Sequence, residues 1–217
     1  MISIDREDVR CRAANIIARG GIVAFRTDTF YGLGVNPFDE RALRSLNDLK
    51  GREAKPILIV ISDRAQIDRF VEAQSALFEI LAAHYWPGAL TIVEEARRKL
   101  SIELTANTKT IGVRLPDDER VRDFVRACGG ALTATSANLA GQPPARTALE
   151  VSQAFSNKID LIVDSGEARG GKPSTVIDIS KGETRLIREG IISRYELAKI
   201  LETMGVKLED KGKEGID

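Results

Sequence analysis

Arg26-Thr27-Asp28-Thr29-Phe30-Tyr31-Gly32-Leu33-Gly34 follows the apolar run Gly21-Ile22-Val23-Ala24-Phe25, and the boundary between them decides how the chain is read. The run has the length and composition of a short buried strand. The Thr, Tyr and Gly residues after it read as a polar turn that presents backbone and hydroxyl groups. Loops at strand ends often carry a protein's chemistry. With Lys50-Gly51-Arg52 and Ser136-Ala137-Asn138 further along, the turn points to a nucleotide-handling pocket that uses none of the usual phosphate loops.

Outward from this strand, strand-like and helix-like segments alternate. Residues about 6 to 19 place Val9, Ala13, Ile16 and Ile17 on one helical face. Residues about 39 to 49 do the same with Ala42, Leu43, Leu46 and Leu49 behind an Asp39 cap. Further helices are expected near 73–84, 118–127, 147–156 and 193–203. Strands are expected at 22–25, 57–61, 90–94, 111–115, 131–134, 161–164, 175–179 and 185–188. Some neighbouring strands lack an intervening helix, so the expected architecture is an α/β fold with a mixed sheet flanked by helices. No linker or internal repeat divides the chain. One domain is expected over 1–205, with a polar, flexible tail over 206–217.

Composition narrows the function classes. The chain has 217 residues, with 32 Lys+Arg against 32 Asp+Glu, so no global charge marks it for nucleic acid or anionic lipid. Cys11 and Cys128 stand far apart beside a single histidine, His84, which disfavours a Cys/His zinc site or a disulfide framework. No stretch approaches the roughly 20 apolar residues of a membrane helix, and a cytoplasmic location is expected.

Three motifs have bland readings. Gly166-Glu-Ala-Arg-Gly-Gly171-Lys172 has P-loop spacing, but Pro173 replaces the required Ser or Thr, and a strand rather than a helix follows. His84 sits at a helix end before Pro87-Gly88, a capping or packing position with no nucleophile nearby. Lys50, Arg52 and Lys55 cluster at a helix end, where they either complement the helix dipole or reach phosphate and carboxylate oxygens.

Taken in order, the motifs resemble those of the YrdC-like family of threonylcarbamoyl-AMP synthases. The matching stretches are Thr27 to Gly34, Lys50-Gly51-Arg52, Trp86-Pro87-Gly88-Ala89-Leu90-Thr91, Ile111-Gly112-Val113-Arg114-Leu115-Pro116, Ser136 to Gly141, Ser174-Thr175-Val176-Ile177-Asp178 and Arg188-Glu189-Gly190. The resemblance covers roughly residues 8 to 192 and is to the short, single-domain form. Three features depart from the family pattern: Arg26 where a proline is usual, a short spacing from Arg52 to Lys55, and Pro144-Ala145 where a serine is common.

The resemblance implies a twisted mixed sheet with a concave basic groove. It also implies a reaction: L-threonine, bicarbonate and ATP give L-threonylcarbamoyladenylate and pyrophosphate. The product is passed to a tRNA-modifying transferase complex for threonylcarbamoylation of adenosine 37. Lys50, Arg52, Ser136 and Asn138 are then expected to be catalytic. Thr27, Thr29, Arg114 and Thr175 would bind threonine and bicarbonate; Arg52, Lys55, Thr110, Ser136, Ser174 and Arg188 would bind ATP, accompanied by Mg2+ on its phosphates. Catalysis by positioning and cationic stabilisation suits a chain with one histidine. Two alternatives stay open: an RNA-binding module of the same fold without catalysis, and an enzyme that forms a carbamoyl-adenylate from carbamoyl phosphate.

Overall fold

The computed structural model describes residues 1–51 and 55–209. Strands β1 (Ile2–Ile4), β2 (Val23–Arg26), β3 (Tyr31–Gly34), β4 (Ile59–Ile61), β5 (Leu90–Glu95), β6 (Thr110–Arg114), β7 (Ala131–Thr133), β8 (Thr135–Ser136), β9 (Leu161–Asp164), β10 (Thr175–Asp178), β11 (Thr184–Arg188) and β12 (Leu208–Glu209) alternate with helices α1 (Glu7–Ala18), α2 (Glu40–Lys50), α3 (Ala76–Tyr85), α4 (Ile102–Thr105), α5 (Glu119–Ala127), α6 (Ala148–Phe155) and α7 (Arg194–Glu202).

The expected single sheet is two mixed sheets. One has the order β1-β9-β2-β3-β8 and the other β12-β11-β10-β5-β6-β4-β7. They are joined where the expected strand 131–134 bends: β7 runs antiparallel to β4 in the second sheet, and β8 runs antiparallel to β3 in the first. Thr133 and Ala134 at the bend stitch both sides. The Thr133 amide donates to the Val35 carbonyl, its hydroxyl accepts from the Val35 amide, and the Ala134 amide donates to the Leu58 carbonyl.

Helix faces follow from apolar spacing. Helix α2 buries Ala42, Leu43 and Leu46; Asp39 accepts the Arg41 and Ala42 amides at its start, and Gly51 ends it with φ 56°. Helix α5 begins at the Asp118 cap and buries Val121, Phe124 and Val125, and Phe124 stacks on Phe25 of β2 with centroids 5.2 Å apart.

Tyr31–Gly34 corrects the reading of this stretch as a turn. It is a buried strand antiparallel to β2, with Tyr31 and Leu33 fully enclosed, and the turn is confined to Thr27–Phe30. Glycine at 34 conceals the strand from propensity, yet a Cβ there would lie 2.8 Å from the Phe25 ring. The 206–217 stretch is likewise corrected at its start. Leu208 is buried and Val206 packs half-buried beside the core, and β12 pairs in parallel with β11. Residues 210–217 lie outside the described residues.

Candidate active site

Where the two sheets meet they enclose a cavity of about 200 Å³. Its walls come from the Thr27–Phe30 turn, β3, β4, the Ala134–Ser136 bend, the end of β6, Thr91 of β5, and Ser174 and Arg188 beside β10 and β11. Six of the expected site residues line it: Thr27, Thr29, Arg114, Ser136, Ser174 and Arg188.

The turn is fixed from within. Its Thr27 hydroxyl donates to the Phe30 carbonyl at 2.7 Å, accepts the Thr29 and Phe30 amides, and lies 3.1 Å from the Thr29 hydroxyl. From outside, the Gly170 amide donates to the Thr29 carbonyl, and the Tyr31 phenol donates to the Gly166 carbonyl at 2.8 Å. Burial first, and the nearby Asp164 next, raise the Tyr31 pKa, so this phenol stays protonated as an anchor.

Arg114 is the buried cation of the cavity. Its Nη1 donates to Asp28 Oδ1 at 2.7 Å, and both side chains are almost fully enclosed. Asp28 was not among the expected residues. A carboxylate between two threonines in a buried turn needs a cation, which was the available signal.

Arg188 differs. Its guanidinium hydrogen-bonds only uncharged groups, the Ser174 carbonyl at 3.0 and 3.1 Å and the Ser174 hydroxyl at 3.2 Å. No carboxylate pairs with it among the described residues. The residue as a whole is exposed, while partial burial of its guanidinium first, and the positive Arg114 second, lower its pKa. Thr91, quoted in a sequence motif without a role, lies 3.0 Å by its hydroxyl from that of Ser174.

Other expected residues are placed elsewhere. Thr175 faces away from the cavity. It is fully buried, and its hydroxyl donates to the Ile192 carbonyl and accepts the Gly190 and Ile192 amides. Alternation along a strand sends its side chain to the face opposite Ser174. That bond ties the Ser-Thr motif to the Arg-x-Gly motif, where a Cβ on Gly190 would lie 2.1 Å from the Pro173 carbonyl oxygen.

Thr110 stands at the opposite end of β6 from Arg114, its hydroxyl 2.9 Å from that of Thr108, and it is not in the cavity wall. Lys50 donates to the carbonyls of Ser136 and Asn138, so it pins the loop after β8. Asn138 shapes that loop through bonds to the Leu139 and Gln142 carbonyls, and neither it nor Lys55 lines the cavity. Arg52 lies outside the described residues.

Arg26 points out of the cavity to Asp118, at 2.7 Å, and Pro144 forms part of the wall. Phe30, Leu58 and Pro173 add apolar surface, of which only Phe30 belongs to a quoted motif. The bland readings of the Gly166–Lys172 stretch and of His84 hold. Gly166 to Lys172 is an irregular connection leading into a strand, and His84 is exposed at the end of α3 against Tyr85. Cys11 and Cys128 are unpaired, and no cluster of three metal-ligating side chains occurs among the described residues. No described helix is long and apolar enough to cross a membrane.

Fold and site together define a two-sheet α/β protein with a cavity lined by two arginines at the sheet junction. The chain belongs to the Sua5/YciO/YrdC family, whose model Sua5_yciO_yrdC, described as "Telomere recombination", matches residues 15–190. It is 35% identical over 190 residues to a threonylcarbamoyl-AMP synthase of Pyrococcus abyssi, covering 87% of this chain and 56% of that protein. It is 38% identical over 171 residues to a threonylcarbamoyl-AMP synthase of Idiomarina loihiensis, covering 76% and 91%. The solved structure of P. abyssi Sua5 complexed with L-threonine superposes with a TM-score of 0.88 at 32% identity, covering 96% of this chain and 62% of that one. The chain thus spans a little over half the length of the P. abyssi relative.

Proposed function

We propose that the chain is a threonylcarbamoyl-AMP synthase, joining L-threonine, bicarbonate and ATP into L-threonylcarbamoyladenylate with release of pyrophosphate and water. Relatives that carry this activity in their names, and a solved relative in complex with L-threonine, support the reading over the two alternatives. The observation that carries it is the meeting, in one cavity, of the Thr27 and Thr29 hydroxyls, a buried Arg114, and an Arg188 that binds only neutral groups.

In this reading Arg114, held by Asp28 through one nitrogen, offers its remaining N–H groups to the threonine carboxylate. Thr27 and Thr29 orient the substrate hydroxyl and carbamate. Arg188, with Lys55 and Arg52, takes phosphate oxygens and the charge that develops on the carbamate and α-phosphate during transfer. Lys50 and Asn138 hold the Ser136 loop against the nucleotide. The one carboxylate among the cavity-wall residues and Asp28 is that of Asp28, already committed to Arg114; this donor set fits magnesium that arrives on the ATP phosphates as part of the substrate. A basic groove at the cavity mouth, a single domain over 1–205, a cytoplasmic location and delivery of the product to a tRNA-modifying transferase belong to the same reading.

The test is a product assay by mass spectrometry with threonine, bicarbonate, ATP and magnesium. Pyrophosphate release is expected to require threonine and bicarbonate together. ATP turnover at a comparable rate without threonine would overturn the proposal.

A further inference from the structure

Two salt bridges, one buried and one half-buried, cross from the Thr27–Phe30 turn and the strand end before it to the chain segment that runs from Arg114 to the start of α5. Arg114 donates to Asp28 at 2.7 Å, and Arg26 donates through Nη2 to Asp118 Oδ2 at 2.7 Å. The two pairs run in opposite senses: in each segment one partner is an arginine and the other an aspartate. Strand β2 pairs only within the first sheet and β6 only within the second, so no ladder fixes the distance between these segments.

Asp118 is also the N-cap of α5, accepting the Arg120 amide, so the second pair ties Arg26 to a helix start rather than to a mobile side chain. Arg26 keeps this pose although its Nε is buried without a hydrogen-bond partner, so the pose satisfies only part of the guanidinium. Its side chain is not part of the cavity wall.

We infer that Arg26 and Asp118 form a positioning pair for the amino-acid subsite. Resting on the synthase reading, the pair holds the Thr27 and Thr29 hydroxyls at a fixed distance from Arg114 while Arg114 divides its donors between Asp28 and the substrate carboxylate. The Thr133–Ala134 junction and the Phe25–Phe124 stack already join the two regions, and the pair adds a directed polar tie beside the subsite, where a small displacement between binding groups costs much of their joint effect. The nucleotide side of the cavity, built by Ser174 and Arg188, is not spanned by the pair.

The variants Arg26→Met, which keeps an unbranched side chain of similar reach, and Asp118→Asn, which keeps a good helix cap, test this together with the double variant. Calorimetric titration of the wild type with L-threonine comes first. Absence of binding there would overturn the synthase reading and the inference together. With binding established, each single variant is expected to raise the threonine KM about fivefold or more and to leave the ATP KM within about twofold. The double variant should be no worse than the more impaired single one. Unchanged threonine KM in folded single variants, equal rises for both substrates, or additive losses in the double variant would overturn the pair while leaving the synthase reading intact. If Arg26→Met does not fold, Asp118→Asn alone decides.

Discussion

Arg114 and Arg188 line the same cavity and carry the same charge, but the protein matches only one of them. Arg114, at the end of β6, is enclosed against the Asp28 carboxylate. Arg188, at the end of β11, is exposed and hydrogen-bonds a carbonyl and a hydroxyl, with Arg114 as a repelling neighbour. A matched buried charge is part of the folded structure, and removing one partner strands the other. A cation left without a carboxylate keeps its donors available to an incoming anion, which is how a binding site differs from a structural salt bridge.

The largest expected effect follows from breaking the matched pair. Arg114→Met should lose about 3–5 kcal/mol of stability, because Asp28 is left charged in a closed site. Urea denaturation would read this, and adding Asp28→Asn should restore most of the loss. A mild loss in the single variant would show that Asp28 finds water or another donor.

Arg188→Met should do the reverse. Pyrophosphate release should fall on the order of 10²-fold or more in kcat/KM, with a melting temperature equal to or above that of the wild type. A drop in stability like that of Arg114→Met would erase the distinction between the two arginines.

Ser174 and Thr175 repeat the contrast one residue apart. Thr175→Val leaves two buried amides and one carbonyl without their partner, and should cost about 1–3 kcal/mol. Ser174→Ala should change ATP kinetics more than stability. If both variants act on kinetics alone, the 190–192 turn does not depend on the Thr175 hydroxyl.

The smallest effect concerns carboxylates. Glu94 is buried like Asp28, but it accepts only the Ser75 hydroxyl and the Glu95 amide, and burial raises its pKa. A raised folded-state pKa means that stability from this group is present below the unfolded value and is lost as pH rises through the folded one. Glu94→Gln should therefore raise the melting temperature by a few degrees at most near pH 7, with the difference shrinking toward about pH 4. An equal gain at both values would show that folding does not shift the Glu94 pKa.

Much of this was legible in the chain itself. Helices at 7–18, 40–50 and 119–127, and the strand Leu161–Asp164, fall within two residues of the expected bounds, because apolar periodicity and the Asp39 and Asp118 caps are local signals. Six cavity residues, Thr27, Thr29, Arg114, Ser136, Ser174 and Arg188, stand in the ordered motifs. Propensity misses Tyr31–Gly34 because Gly34 sits where a Cβ would meet the Phe25 ring, and a motif does not state which face of a strand Thr175 takes.

By itself the sequence determined the order of elements, the family and the residue types available to an anion site, since each depends on neighbours along the chain. Only the tertiary structure decided that there are two sheets, that Asp28 answers Arg114 across 86 positions, that Arg26 turns to Asp118, and that Lys50 holds a loop. These are pairings between segments distant in sequence, selected by which side chains burial forces together, and charge matching of that kind leaves no periodic trace along the chain.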